Sequence, residues 1–69
     1  MPLRTKAQEA GIMQPAELDL LRRVFDRTAV PDESEREREA RASRIIGYFT
    51  AGISDEEELC QLARQPLGR

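Results

Sequence analysis

Few groups in this chain could do chemistry. They are an acidic run at Asp55-Glu56-Glu57-Glu58, a single cysteine at Cys60, a single tyrosine at Tyr48 and an alternating Glu/Arg tract from Glu33 to Arg41. Adjacent carboxylates can act as an acid/base pair or hold magnesium. At the start of a helix, however, the dipole favours the charged carboxylate, which opposes the raised pKa a general acid needs. Ser54-Asp55-Glu56-Glu57 has the form of a capping box, and that role accounts for the run. Cys60 has Glu56 one turn before it and Arg64 one turn after, not the basic surroundings or helix start that produce a thiolate, so it reads as a small buried hydrophobe. With no histidine, Ser-His-Asp and Cys-His systems are excluded, and one cysteine alone cannot build a structural zinc site. No glycine-rich phosphate loop follows a strand, and Asp32 to Ala42 lacks the ligand spacing and central glycine of a calcium loop. The expectation is a protein that is not an enzyme and uses no cofactor and no metal.

The elements that would position these groups are helices. Pro15 suits a first helical position and Glu17 the positive end of the dipole, so a helix is predicted over 15–29, with Met13 and Leu18 spaced as a hydrophobic staple. Its apolar arc (Leu18, Leu20, Leu21, Val24, Phe25 and Thr28) covers about half the circumference, more than one neighbouring helix needs. This helix should therefore be central, touching two helices or one helix and a partner. Pro31 breaks it, and either Asp32 or Ser34 can cap the next, each with a glutamate three residues on.

The second predicted helix covers 33–51. Its first half is nearly all charged, with Glu37–Arg41, Glu33–Arg36 and Glu35–Arg38 at pair spacings of ~0.2–0.5 kcal/mol each, the pattern of a solvated face. That alternation has no apolar seam for a coiled coil. Its second half carries the stripe Ala42, Ile45, Ile46 and Phe49, ended by Gly52 in a left-handed conformation with Ile53 folding back. A third helix over 55–64 buries Leu59, Leu62 and Ala63 and stops at Pro66. Nothing alternates as a strand does. At the N-terminus, Thr5 with Gln8 has the form of a capping box and Gly11 could end a short turn, but fraying is the favoured reading of that segment.

The fold class is thus all-α, a small three-helix bundle: a flexible segment at 1–13, the domain at 14–65 and a tail at 66–69. Sixty-nine residues form at most one domain. It would bury only ~60% of its unfolded surface, and a core of this size supplies about 3–5 kcal/mol. Phe25 and Phe49, the two phenylalanines, sit mid-arc on their helices and should anchor that core. Charged residues make up 35% of the chain but nearly cancel, at net −2, where a nucleic-acid binder shows a basic excess or face. The mostly apolar run from Ile45 to Ile53 is too short to span a bilayer, and no hydrophobic stretch follows Arg4 and Lys6 as in a secretory signal. With a free cysteine, these point to a reducing cytoplasm.

Ile45-Ile46-Gly47-Tyr48-Phe49-Thr50-Ala51-Gly52-Ile53-Ser54-Asp55-Glu56-Glu57-Glu58-Leu59 resembles the start of the helix-turn-helix in response-regulator DNA-binding domains. That likeness implies a DNA-binding regulator. In that family a basic recognition helix follows, whereas here only Arg64 to Arg69 remain. Across Leu18 to Leu62 the chain is similar to short bacterial helical proteins of unknown function, sharing Phe25-Asp26 and the Gly-Ile turn before Asp55-Glu56-Glu57-Glu58-Leu59. That likeness implies the fold and transfers no activity.

The function expected is a non-catalytic protein-interaction or regulatory module with an unidentified protein partner, a second copy of the chain included. Leu20, Val24 and Tyr48 are the expected contacts, because the other apolar positions suffice for the core. Tyr48, beside the stripe, fits an interface or the lid of a small core equally well. No membrane or nucleic-acid partner is expected. A DNA-binding regulator is the alternative, favoured if Arg22, Arg23, Arg27, Arg41 and Arg44 gather on one face.

Overall fold

A computed structural model describes residues 2–65 and contains four helices: α1 (Pro2–Glu9), α2 (Pro15–Arg27), α3 (Glu35–Thr50) and α4 (Glu56–Arg64). The expected all-α bundle is present. The expected tail at 66–69, with the stop at Pro66, lies outside the described residues. No described helix is long and apolar enough to cross a membrane.

The segment expected to be loose forms a helix instead. α1 places Leu3 and Ala7 one turn apart, and both are buried. Gly11, at φ +83°, reverses the chain after α1, and the Gly11 and Ile12 amides donate back to the Gln8 and Ala7 carbonyls at 3.0 and 2.9 Å. This is a Schellman closure, and it turns Ile12 into the core. Thr5 consequently lies inside the helix and is not its cap. Met13, the next residue, is 69% exposed, so the Met13–Leu18 staple does not form.

α2 packs against α1, α3 and α4, whereas α1 and α4 do not touch each other. Three helical neighbours absorb the wide apolar arc of α2. The fully buried centre is Leu21, Val24, Ile45, Leu59 and Cys60. Phe25 is buried, but Phe49 is only partly so and lies at the margin of the core with Leu18, Leu20, Tyr48 and Ile53. The core is therefore built around aliphatic residues with Phe25 on one side, not around two facing phenylalanines.

Local chemistry sets the boundaries. Ser34 caps α3, its Oγ accepting from the Glu37 amide at 3.1 Å while Glu37 Oε1 accepts from the Ser34 amide at 3.0 Å. Asp32 does not cap. It takes φ +65° in a turn closed by the Glu33 amide on the Val30 carbonyl, the pattern of a type II turn with Pro31 leading. Gly52, at φ +111°, ends α3 in a second Schellman closure, with the Ile53 amide on the Tyr48 carbonyl at 3.1 Å. α4 is capped by Asp55, whose Oδ2 accepts from the Glu58 amide at 2.9 Å, so the box expected from Ser54 and Glu57 gives way to a cap one residue later.

Candidate functional site

The polar chemistry of this domain converges on the C-terminal end of α2, where helix geometry leaves carbonyls without intrahelical partners. Thr28 Oγ1 donates to the Val24 carbonyl at 2.8 Å. Arg41, projecting from α3, is only 4% exposed. Its Nη1 donates to the Phe25 carbonyl and, at 2.9 Å, to Thr28 Oγ1. Its Nε and Nη2 meet the two carboxylate oxygens of Glu33 at 2.9 and 2.8 Å, a bidentate pair. The guanidinium carbon also lies 4.1 Å from the centroid of the Phe25 ring. Hydrogen bonding to Arg41 holds the Glu33 carboxyl below its usual range. The ion pair is thus enclosed, and the cation makes four hydrogen bonds and one ring contact.

This arrangement corrects the solvated reading at one position. Helical spacing pairs Arg41 with Glu37, but Glu37 is committed to the Ser34 cap. Glu33 precedes the helix, and the turn at Asp32 carries it to Arg41. The rest of the tract from Glu35 to Glu39 is exposed, as expected.

A second polar seam clasps α2 to α4. Arg23 Nε and Arg27 Nη1 each meet Glu56 at 3.0 Å, and Arg27 Nη1 lies 2.9 Å from Glu57. The hydrogen bond from Arg23, then that from Arg27, lowers the Glu56 pKa, while Glu57 and then Glu56 raise that of Arg27. Within the acidic run, Asp55 is therefore occupied with capping and Glu56 and Glu57 with ion pairs. Among the described residues, no group of three histidine, cysteine, aspartate or glutamate side chains could hold a metal ion. Cys60 is completely buried.

Beside the Arg41 network lies a cleft of about 340 Å³. Its walls come from the end of α2 and the following turn (Thr28, Val30, Glu33), from α3 (Glu37, Ala40, Arg41, Arg44) and from the end of α4 (Ala63, Arg64, Gln65). Arg44 Nη2 donates to the Ala63 carbonyl at 2.6 Å and Arg64 Nη2 to the Arg27 carbonyl at 3.2 Å, so both close exposed helix ends. Arg44 Nε is buried with no acceptor, an arrangement that costs about 1–3 kcal/mol when nothing compensates it.

The three expected contact residues are treated differently by the fold. Leu20 and Tyr48 are partly exposed beside the core. Val24 is wholly buried and reaches no surface, because α2 has helices on three sides. The five arginines of the DNA reading do not form one open face. Arg41 is internal, Arg23 and Arg27 are bound to Glu56, Arg44 binds a carbonyl, and Arg22 lies 3.9 Å from Asp19. The cleft and the Arg41 network were not foreseen. Their one signal in the sequence was an arginine, Arg41, directly before the apolar stripe that starts at Ala42.

No protein-family model matches this chain, and neither a curated protein nor a solved structure is significantly similar to it.

Proposed function

We propose that this chain is a non-catalytic protein-interaction or regulatory module, acting in the cytoplasm of a bacterium. The observation that carries this reading over DNA binding is the pairing of Arg23, Arg27 and Arg41 with carboxylates within the fold. Phosphate neutralisation needs cations free to face a duplex, and Arg23, Arg27 and Arg41 are each paired with a carboxylate of the same chain. Leu20 and Tyr48 supply the contrasting feature, partly exposed apolar surface beside the core, the kind of anchor that protein interfaces use.

The test uses Leu20→Asp and Tyr48→Asp, each checked for retained helicity. Sedimentation of the purified chain measures self-association, and crosslinking in extract measures capture of another protein. Loss of the association in both variants is the expected result. Association unchanged in both, or a nanomolar complex with one duplex and weak binding to its scrambled form, refutes the reading.

A further inference from the structure

We propose that the cleft between the ends of α2 and α4 binds a ligand bearing a single carboxylate on a short apolar stem. Neither Leu20 nor Tyr48, on which the interaction reading rests, lines this cleft. Among the cleft's three arginines, Arg41 donates four hydrogen bonds, to Glu33, Thr28 and the Phe25 carbonyl, and has a carboxylate partner. Arg44 and Arg64 differ. Of the five N–H groups each guanidinium carries, each of these two donates one hydrogen bond among the described residues, in both cases to a backbone carbonyl. Neither has a carboxylate partner among the described residues. Two cations with spare, fork-shaped donors therefore border one cleft, and planar oxyanions are what such donors match.

The remaining lining narrows the ligand. Three guanidiniums stand against the carboxylates of Glu33 and Glu37, leaving one surplus positive charge. That balance favours a monoanion and repels part of a dianion such as a phosphate monoester. Val30, Ala40 and Ala63 supply apolar wall, and Val30 is 58% exposed, surface that an alkyl stem would cover. At about 340 Å³ the cleft lies near the lower end of the range for small-molecule sites. A free short-chain acid and the C-terminal carboxylate of a peptide share this chemistry.

The experiment is an amide and arginine side-chain NMR titration of the full chain with four probes. These are hexanoate, hexanol, an acetylated dipeptide ending in valine, and the amide of that dipeptide. Hexanoate or the dipeptide acid should shift Thr28, Val30, Ala40, Arg44 and Arg64 saturably, while hexanol and the amide should not. Whichever acid binds more tightly identifies the source. Arg64→Gln, at an exposed residue, should weaken binding at least tenfold with helicity retained, and Arg44→Gln should do the same if it folds. Equal shifts from acid and neutral probes, no saturable shift from either acid, or undiminished binding to Arg64→Gln would each overturn the proposal.

Discussion

Removing Glu33 should destabilise this domain more than removing Arg41, and removing both should cost less than removing Glu33 alone. In Glu33→Ala the guanidinium of Arg41, 4% exposed in the native fold, keeps the Phe25 carbonyl, Thr28 and the Phe25 ring but loses its carboxylate. Breaking a buried pair from one side typically costs ~3–5 kcal/mol. The Glu33 side chain is 9% exposed, so water can enter where it stood, and the lower end of that range applies. About 3 kcal/mol is still most of what a domain of this length has. In Arg41→Met the opposite holds. Glu33 sits on a turn and can swing into solvent, and Thr28 Oγ1 still donates its one hydrogen to the Val24 carbonyl at 2.8 Å, with the Phe25 carbonyl 3.2 Å away. The loss is then about 1–2 kcal/mol of hydrogen bonding. In Glu33→Ala/Arg41→Met no orphaned charge remains, and the cost should fall back toward that of Arg41→Met. Urea unfolding followed by circular dichroism gives all three values. If the two single costs add in the double variant, or if Glu33→Ala costs less than 1 kcal/mol as an exposed pair would, the enclosure of this pair is misjudged.

Acid should act through the same group. Glu33 and Glu56 are both held below the usual carboxylate range, so their contributions are complete above the unfolded value of about 4.3 and are lost as pH falls through the lower folded values. The melting temperature should stay level from neutral pH to about 5 and drop below about 4.5, with a shallower drop in Glu33→Gln. A rise on acidification contradicts this. Two glycines should respond with opposite signs, since a Cβ meets nothing within 4 Å at either. Gly47→Ala, inside α3, should stabilise by about 0.5–1 kcal/mol, and Gly52→Ala, at φ +111°, should destabilise by about 1–2 kcal/mol. Thermal melts read both, and equal shifts would deny the conformational argument. Leu3→Ala, at a residue 3% exposed in α1, should cost about 2–5 kcal/mol; an unchanged midpoint would mean that α1 does not belong to the core.

Features written in short sequence windows were legible. Proline at the start of α2, glycine after α3 and the stripe Ala42, Ile45, Ile46 each carry their cause within a few residues, and the structure places all three expected helices within two residues of the expected bounds, the largest differences falling at Thr28–Ala29 and Glu33–Ser34, where a turn and a cap intervene. α1 was missed for a physical reason. Among its described residues it offers Leu3 and Ala7 to the core, too little for a periodic signal, and its docking depends on α2 and α3 being there. Val24 was misassigned because the width of an apolar arc counts neighbours without saying whether a partner or an unseen helix provides them.

The Arg41 network marks a different limit. A pair between Glu33 and Arg41 spans eight positions, a separation no helical rule contains, because one partner lies outside the helix. It forms only when Ser34 claims Glu37 as its cap and Asp32 accepts a left-handed turn. Three local choices therefore act together: the cap frees Arg41 from its helical neighbour, the turn delivers Glu33, and the pair then lets a cation sit beneath the end of α2. That cation closes the Phe25 carbonyl at the end of α2, as backbone reversal at Gly11 and Gly52 closes carbonyls at the ends of α1 and α3. Where α1 and α3 end on glycine, α2 ends on arginines borrowed from α3 and α4, and the cleft lies between those borrowed side chains. A ligand seated there would bear on how α2 is held to both helices, so binding and stability should be linked at this end of the domain.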